Sequence, residues 1–166
     1  MAEASRRAAR SAARGGQPNA LFVVAGAECL PPGLRNVADE LTIAFPWGSL
    51  LRGTLALDDA AARGLADLLA PGATAVATVS ITDRDRLALP GVETADDRRA
   101  LAERWSRLNV DVCAIRPATG DELNDMPSSW ARRLAAGRDR SAWRLELQVR
   151  PDGPPGRRAD EIRRPR

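Results

Sequence analysis

Residues 40–53 read Glu-Leu-Thr-Ile-Ala-Phe-Pro-Trp-Gly-Ser-Leu-Leu-Arg-Gly, and this stretch sets the terms for the rest of the chain. Residues 41–45 have the composition of a buried strand. Pro46-Trp47-Gly48 then makes a rigid turn. Proline fixes its own φ and biases Phe45 towards an extended backbone, while Gly48 frees the chain to reverse. A helix is predicted from about Ser49, which suits the N-cap of Leu50-Leu51-Arg52. Trp47 is thereby held at the carboxyl end of a strand, where open α/β sheets bind ligands. Two readings of Trp47 stand at this level: a surface on which something stacks, or a plug for the core beside the turn.

The remaining pattern alternates. Residues 2–14, rich in Ala and Arg, predict a helix that Gly15-Gly16 ends and Pro18 keeps from continuing. Residues 20–25 are a continuous apolar run, the signature of a parallel strand buried on both faces. An amphipathic helix is predicted over 58–70, stopped by Pro71-Gly72, followed by a strand over 73–81 and a charged loop over 82–93. Thr94 caps a helix running to Leu108, with Leu101, Trp105 and Leu108 on one face. A strand over 110–115, a helical turn at 121–124, a short helix over 130–136 and a last strand over 141–149 complete the order. Strands and helices alternating in this way predict an α/β sheet with helices on both faces. From Arg150 onward proline, glycine and arginine dominate. This predicts one domain over 1–149 and a disordered basic tail over 150–166.

Composition narrows the chemistry. No apolar run approaches the ~20 residues of a membrane span, and Met1 is followed by Ala-Glu-Ala-Ser rather than an apolar segment. These features predict a cytoplasmic protein. Cys29 and Cys113, in or beside apolar runs, read as small buried hydrophobes in a reducing compartment. The net charge is +3, and every one of the 25 basic residues is arginine. Arginine suits bidentate phosphate contact and stacking on bases. The chain has no histidine. Histidine-based triads and histidine-ligated metal sites are therefore excluded, and no metal is expected.

Three features converge on loops at carboxyl ends of strands. Gly26-Ala27-Glu28 offers a carboxylate to an adenine amino group or a ribose hydroxyl; a solvated loop glutamate is the alternative. Phe45-Pro46-Trp47-Gly48-Ser49 is the second. The third is residues 128–144, with arginines at 132, 133, 138, 140 and 144 against the single acid Asp139. Arg132 and Arg133 fit a solvated helix face, whereas Arg138 and Arg140, at a turn near Trp130, fit phosphate or base contact. Two tryptophans on separate loops flanked by arginines suggest a cage for a flat ring, such as a base pulled from a helix. Stacking contributes ~1–3 kcal/mol per base, enough across two faces to offset the few kcal/mol of extrusion. Trp105 and Trp143 lie at core-facing spacing in regular elements and read as packing residues.

The segments Phe-Pro-Trp-Gly-Ser-Leu-Leu at 45–51 and Ser-Ser-Trp-Ala-Arg-Arg-Leu-Ala-Ala-Gly-Arg-Asp-Arg-Ser at 128–141 resemble those of the aminoglycoside-resistance 16S rRNA adenine-N1 methyltransferases, the kanamycin–apramycin resistance type. Ala-Glu-Cys-Leu-Pro at 27–31 fits the same pattern, and the resemblance runs from residue 1 to about 149. It implies a Rossmann-like S-adenosylmethionine-dependent enzyme that methylates the decoding-site adenine in the small (30S) ribosomal subunit. By resemblance, Trp47 and Trp130 sandwich the flipped adenine and the Pro46 carbonyl accepts from its exocyclic amine. Ser128 sits beside Trp130, and Arg138 and Arg140 meet the rRNA backbone. Ala27, Glu28 and Ser49 line the cofactor pocket.

The chain departs from that family in one respect. Such enzymes open with a strand, a glycine-rich Asp-x-Gly-x-Gly turn, and a second strand ending in an acid for the ribose. None of these is present; Gly15-Gly16 follows a helix and is no substitute. The fold expected is therefore a Rossmann-like methyltransferase sheet lacking its first two strands, with the gap between residues 21–25 and 41–45. Three functions follow as alternatives: part of a longer active enzyme with Met1 an internal start, a catalytically inactive rRNA-binding remnant, or a generic α/β domain with incidental tryptophans.

Overall fold

The structure, a computed structural model, describes residues 6, 8–17, 19–20, 22–81, 91–126 and 141–151. Its centre is a four-stranded sheet of β1 (Ala38–Ala44), β2 (Leu69–Val79), β3 (Val110–Pro117) and β4 (Trp143–Val149), in the order β1-β2-β4-β3. β1 and β2 are parallel, and β4 runs antiparallel to both β2 and β3. The parallel pair requires a crossover. Two helices supply it: α1 (Gly48–Thr54) and α2 (Asp59–Leu68). Helix α3 (Ala95–Ser106) precedes β3, and the short α4 (Gly120–Asp125) follows it.

Three of the four helix starts are capped by a side chain. Asp58 accepts the amide of Ala61, Thr94 that of Asp97, and Thr119 that of Glu122, so side chains satisfy otherwise orphaned donors. At α4 the arrangement is reciprocal, because Glu122 also accepts the Thr119 amide at 2.9 Å. The core gathers Ile43 of β1, Leu51 and Leu55 of and after α1, Leu65 of α2, Ala77 and Val79 of β2, Leu101 and Trp105 of α3, and Leu145 of β4. Trp105 is 1% exposed and donates its indole N–H to the Thr54 carbonyl at 3.2 Å, tying α3 to the end of α1. A buried aromatic of this size removes ~150–250 Å² from water, on the order of 4–6 kcal/mol of gross stabilisation. Trp143 packs against the same core, with the Arg98 guanidinium 6.0 Å from its ring centre. Both indoles serve packing, as expected.

Several local expectations need correction. Residues 22–25 form no strand; Phe22, Val23 and Val24 are exposed, and among the described residues no strand takes up their backbone groups. Among the described residues β1 pairs with β2 alone. The predicted 2–14 helix is interrupted: residue 8 is helical, residues 9 and 10 turn, and Ala12–Arg14 is a separate 3₁₀ turn. Pro71-Gly72 does not lie between helix and strand but inside β2, where Gly72 takes φ +81° opposite an irregularity in β1. Cys29 and Cys113 are exposed rather than buried. Arg150, assigned to the tail, donates to Asp111 at 2.9 Å and to Ser106 at 2.9 Å. The predicted helix over 130–136 and residues 152–166 lie outside the described residues.

One ionic cluster holds α4 against the sheet. Arg116 of β3 donates to Glu122 at 2.9 Å, Arg144 of β4 donates to Glu146 at 2.9 Å, and each arginine reaches the other's partner at 3.4 Å. The Arg116 hydrogen bond, with the Thr119 amide behind it, lowers the Glu122 carboxyl from the ordinary 4.5 to about 2. Because the folded value is the lower one, the stabilisation is full above pH 4.5 and is lost as pH falls towards 2. Glu122→Gln is expected to lower stability at neutral pH and to flatten the acid limb between pH 4.5 and 2, measured by urea unfolding across that range. An unchanged acid limb would show that Glu122 carries none of it.

Candidate functional site

The carboxyl end of β1 hands the chain to α1 through four residues, two of which, Phe45 and Gly48, have positive φ. Phe45 is not extended, as proline at 46 predicts, but left-handed with φ +47°. Its amide donates to the Thr78 carbonyl at 2.8 Å, so the ladder to β2 holds it there. A non-glycine residue in this region costs on the order of 1–3 kcal/mol and persists only where its surroundings enforce it. Pro46 is buried, while Trp47 is extended and 85% exposed. Gly48, with φ +61°, opens α1. Trp47 rather than Ser49 is the N-cap residue, and its side chain makes no capping bond. Ser49 sits in the first turn with its hydroxyl directed to the Glu28 carboxylate at 3.4 Å.

That contact joins two walls. A 3₁₀ turn, Ala27–Cys29, together with Ala25 and Gly26, faces the strip from Trp47 to Leu50 across a cavity of about 310 Å³. The structure thus brings Ala27, Glu28, Trp47 and Ser49 to one cavity, while Pro46 is buried and does not line it. Exposure of Trp47 removes the reading in which it plugs the core. Ala25, Gly26, Gly48 and Leu50 are wall residues that sequence reasoning did not assign. The signal for Gly26 was its place before Ala27-Glu28: a Cβ there would stand 3.0 Å from the Glu28 carboxylate, so glycine lets that side chain fold back.

Ser128, Trp130, Arg138 and Arg140 lie outside the described residues. Their flanks are described. Pro117 and Val79 both pair with Trp143, and Ala44 pairs with Thr78. The ends of β1, β2 and β3 and the start of β4 therefore share one end of the sheet. The chain departs through α4 and Met126 and returns at Ser141, whose carbonyl accepts the Ser80 hydroxyl at 3.2 Å. The described flank at Ser141 thus lies at the same end of the sheet as Trp47. No group of three or more metal-ligating side chains occurs among the described residues. No helix among them is long and apolar enough to cross a membrane.

The family model for 16S rRNA (adenine(1408)-N(1))-methyltransferase, NpmA, matches residues 1–149. A protein of that name from Streptoalloteichus tenebrarius is 35% identical over 147 residues, covering 84% of this chain and 66% of the relative. One from Escherichia coli is 28% identical over 152 residues, covering 87% of this chain and 69% of the relative. The chain spans 66%, just under two thirds, of the length of the Streptoalloteichus relatives. Among solved structures, the 16S rRNA methyltransferase KamB superposes with a TM-score of 0.78 at 32% identity, covering 91% of this chain and 72% of KamB. The W203A mutant of the 16S rRNA (adenine(1408)-N(1))-methyltransferase from Catenulisporales acidiphilia, solved with its cosubstrate SAM, has the same score at 30% identity, covering 94% and 73%. The mixed α/β sheet is thus that of the Rossmann-like methyltransferases.

A side chain at Gly48 would meet nothing within 4 Å, so the glycine is required by its φ alone. Gly48→Ala is expected to cost about 1 kcal/mol through backbone strain. Urea unfolding with an unchanged m-value checks this.

Proposed function

Because the chain belongs to the 16S rRNA (adenine(1408)-N(1))-methyltransferase family, we propose that it binds S-adenosylmethionine in the cavity beside Trp47 and methylates N1 of a flipped decoding-site adenine, giving aminoglycoside resistance. The substrate is 16S rRNA within the small ribosomal subunit, met in the cytoplasm. The observation that carries this reading is the convergence of Ala27, Glu28, Ser49 and a highly exposed Trp47 on one cavity.

The residues present suit the nucleoside end of the cofactor. A volume of about 310 Å³ lies at the lower end of small-ligand pockets, roughly 300–1,000 Å³. Ala25, Ala27 and Leu50 supply apolar contact, and the Glu28 carboxylate, held by the Ser49 hydroxyl, accepts from an amino or ribose hydroxyl group. When bound, the cofactor supplies a methyl group already activated on a sulfonium.

The remaining work falls to residues that position and exclude water. Trp47 stacks on the flipped adenine and Trp130 covers its other face. The Pro46 carbonyl accepts from the exocyclic amine, which tells adenine from guanine. Ser128 supports Trp130, and Arg138 and Arg140 hold the rRNA backbone. Adenine N1 attacks with an in-plane lone pair: the N–C bond forms as the S–C bond breaks, and the positive charge passes to the purine. No proton has to be removed first, which suits a chain without histidine. Alignment alone supplies on the order of 7–11 kcal/mol of such a barrier.

A second reading, an rRNA-binding protein without catalysis, is favoured by the lack of an Asp-x-Gly-x-Gly turn in residues 1–166. Calorimetric titration separates the two. Micromolar binding of S-adenosylmethionine is expected; its absence, with binding to 30S subunits retained, establishes the second reading. Trp47→Ala is expected to leave stability within about 0.5 kcal/mol, since the ring is exposed. The same variant should weaken rRNA binding or turnover by ~1–3 kcal/mol, roughly fivefold to 150-fold. Unaltered rRNA binding and turnover in Trp47→Ala would overturn the stacking role.

A further inference from the structure

We propose that Gly64, in the middle of α2, is a positioning residue for the cofactor cavity: it is the seat on which the Ala27–Glu28 wall rests. The inference depends on the cavity being the cofactor site. A Cβ built on Gly64 would lie 1.7 Å from the Ala27 carbonyl oxygen, 2.8 Å from its carbonyl carbon and 3.7 Å from the Glu28 nitrogen. The obstruction is backbone, so no rotamer change relieves it. Any side chain at 64 must push residues 27 and 28 outward.

The glycine is not there for its own conformation. It lies inside a regular helix, Asp59–Leu68, and is absent from the positive-φ residues. A glycine in a helix interior is less favourable than alanine, because more backbone freedom is lost on folding. The close approach of the 3₁₀ turn is the gain that offsets it. The same helix also seats the opposite wall. A Cβ at Gly53 of α1 would come 2.6 Å from the Ala61 Cβ of α2. One helix therefore sets the positions of both walls, and with them the span closed by the 3.4 Å contact between Ser49 and Glu28. Overfilling at 64 widens one side only, so Glu28 is carried away from Ser49 and from the ligand it would bind.

The test compares Gly64→Ala with Leu65→Ala, a buried neighbour on the same helix. Leu65→Ala is expected to lower stability through the core while leaving S-adenosylmethionine affinity unchanged. Gly64→Ala is expected to lower affinity at least tenfold by calorimetry with the smaller loss of stability. Equal affinity in Gly64→Ala and the parent would overturn the proposal. A ligand-free readout keeps it distinct from the cofactor reading. The Cys29 amide donates to the Gly26 carbonyl at 3.1 Å, and its hydrogen exchange in Gly64→Ala should accelerate at least tenfold while that of the sheet stays fixed. If the parent binds no cofactor, the cofactor reading fails and this exchange result alone decides whether Gly64 seats the turn. If Gly64→Ala does not fold, exchange in the parent with and without S-adenosylhomocysteine decides. Protection rising together over 26–29 and 60–66 supports the seat, and protection confined to 26–29 overturns it.

Discussion

The end of β1 is where chain direction, strain and exposure meet. Phe45 is locked to β2 by its bond to the Thr78 carbonyl, yet must turn through a left-handed conformation within one residue. Buried Pro46 then fixes the next φ, and Gly48 absorbs the second reversal. Together these fix the backbone on both sides of Trp47. Held by all three, it stands in solvent at 85% exposure beside a cavity. The strain resides in the backbone, where proteins commonly store it at working sites. It is sustained by a parallel ladder that also anchors the core through Ile43 and Ala77.

Much of this was legible in the residues. Thr94 and Asp58 announced their helices, and the strands predicted over 73–81, 110–115 and 141–149 fell within a few residues of β2, β3 and β4. Pro46-Trp47-Gly48 identified the turn. What sequence rules misjudged was context. The proline rule speaks for an extended Phe45, but the Thr78 carbonyl sits where a left-handed residue reaches it. The apolar run at 20–25 has strand composition, yet strands exist only against a partner, and those side chains face water. Ser49 looked like a cap because its hydroxyl seeks a partner; it found the Glu28 carboxylate, 21 positions earlier, which spacing cannot show.

The charged side chains divide their labour. Arg116, Arg144, Glu122 and Glu146 neutralise one another and fasten α4 at the point where the chain leaves for residues 127–140. Arg150 and Asp111 do the same at the opposite end of β3. Arginines committed to such pairs are unavailable to nucleic acid. A basic count taken from composition therefore overstates the surface open to phosphate, and the modest net charge of +3 is the better guide.

Among the described residues β1 has a partner strand on one side only, and this has a colloidal consequence. Its amides and carbonyls form a ready template for a foreign strand, and the exposed Phe22, Val23 and Val24 add adhesive surface. Asp39 and Glu40, both exposed, place two negative charges near the start of that margin. Copies approaching in register meet like charge against like charge there. Along Leu41–Ala44 no ionised group repels them, so self-association should begin at that stretch and deepen as added salt screens the two carboxylates.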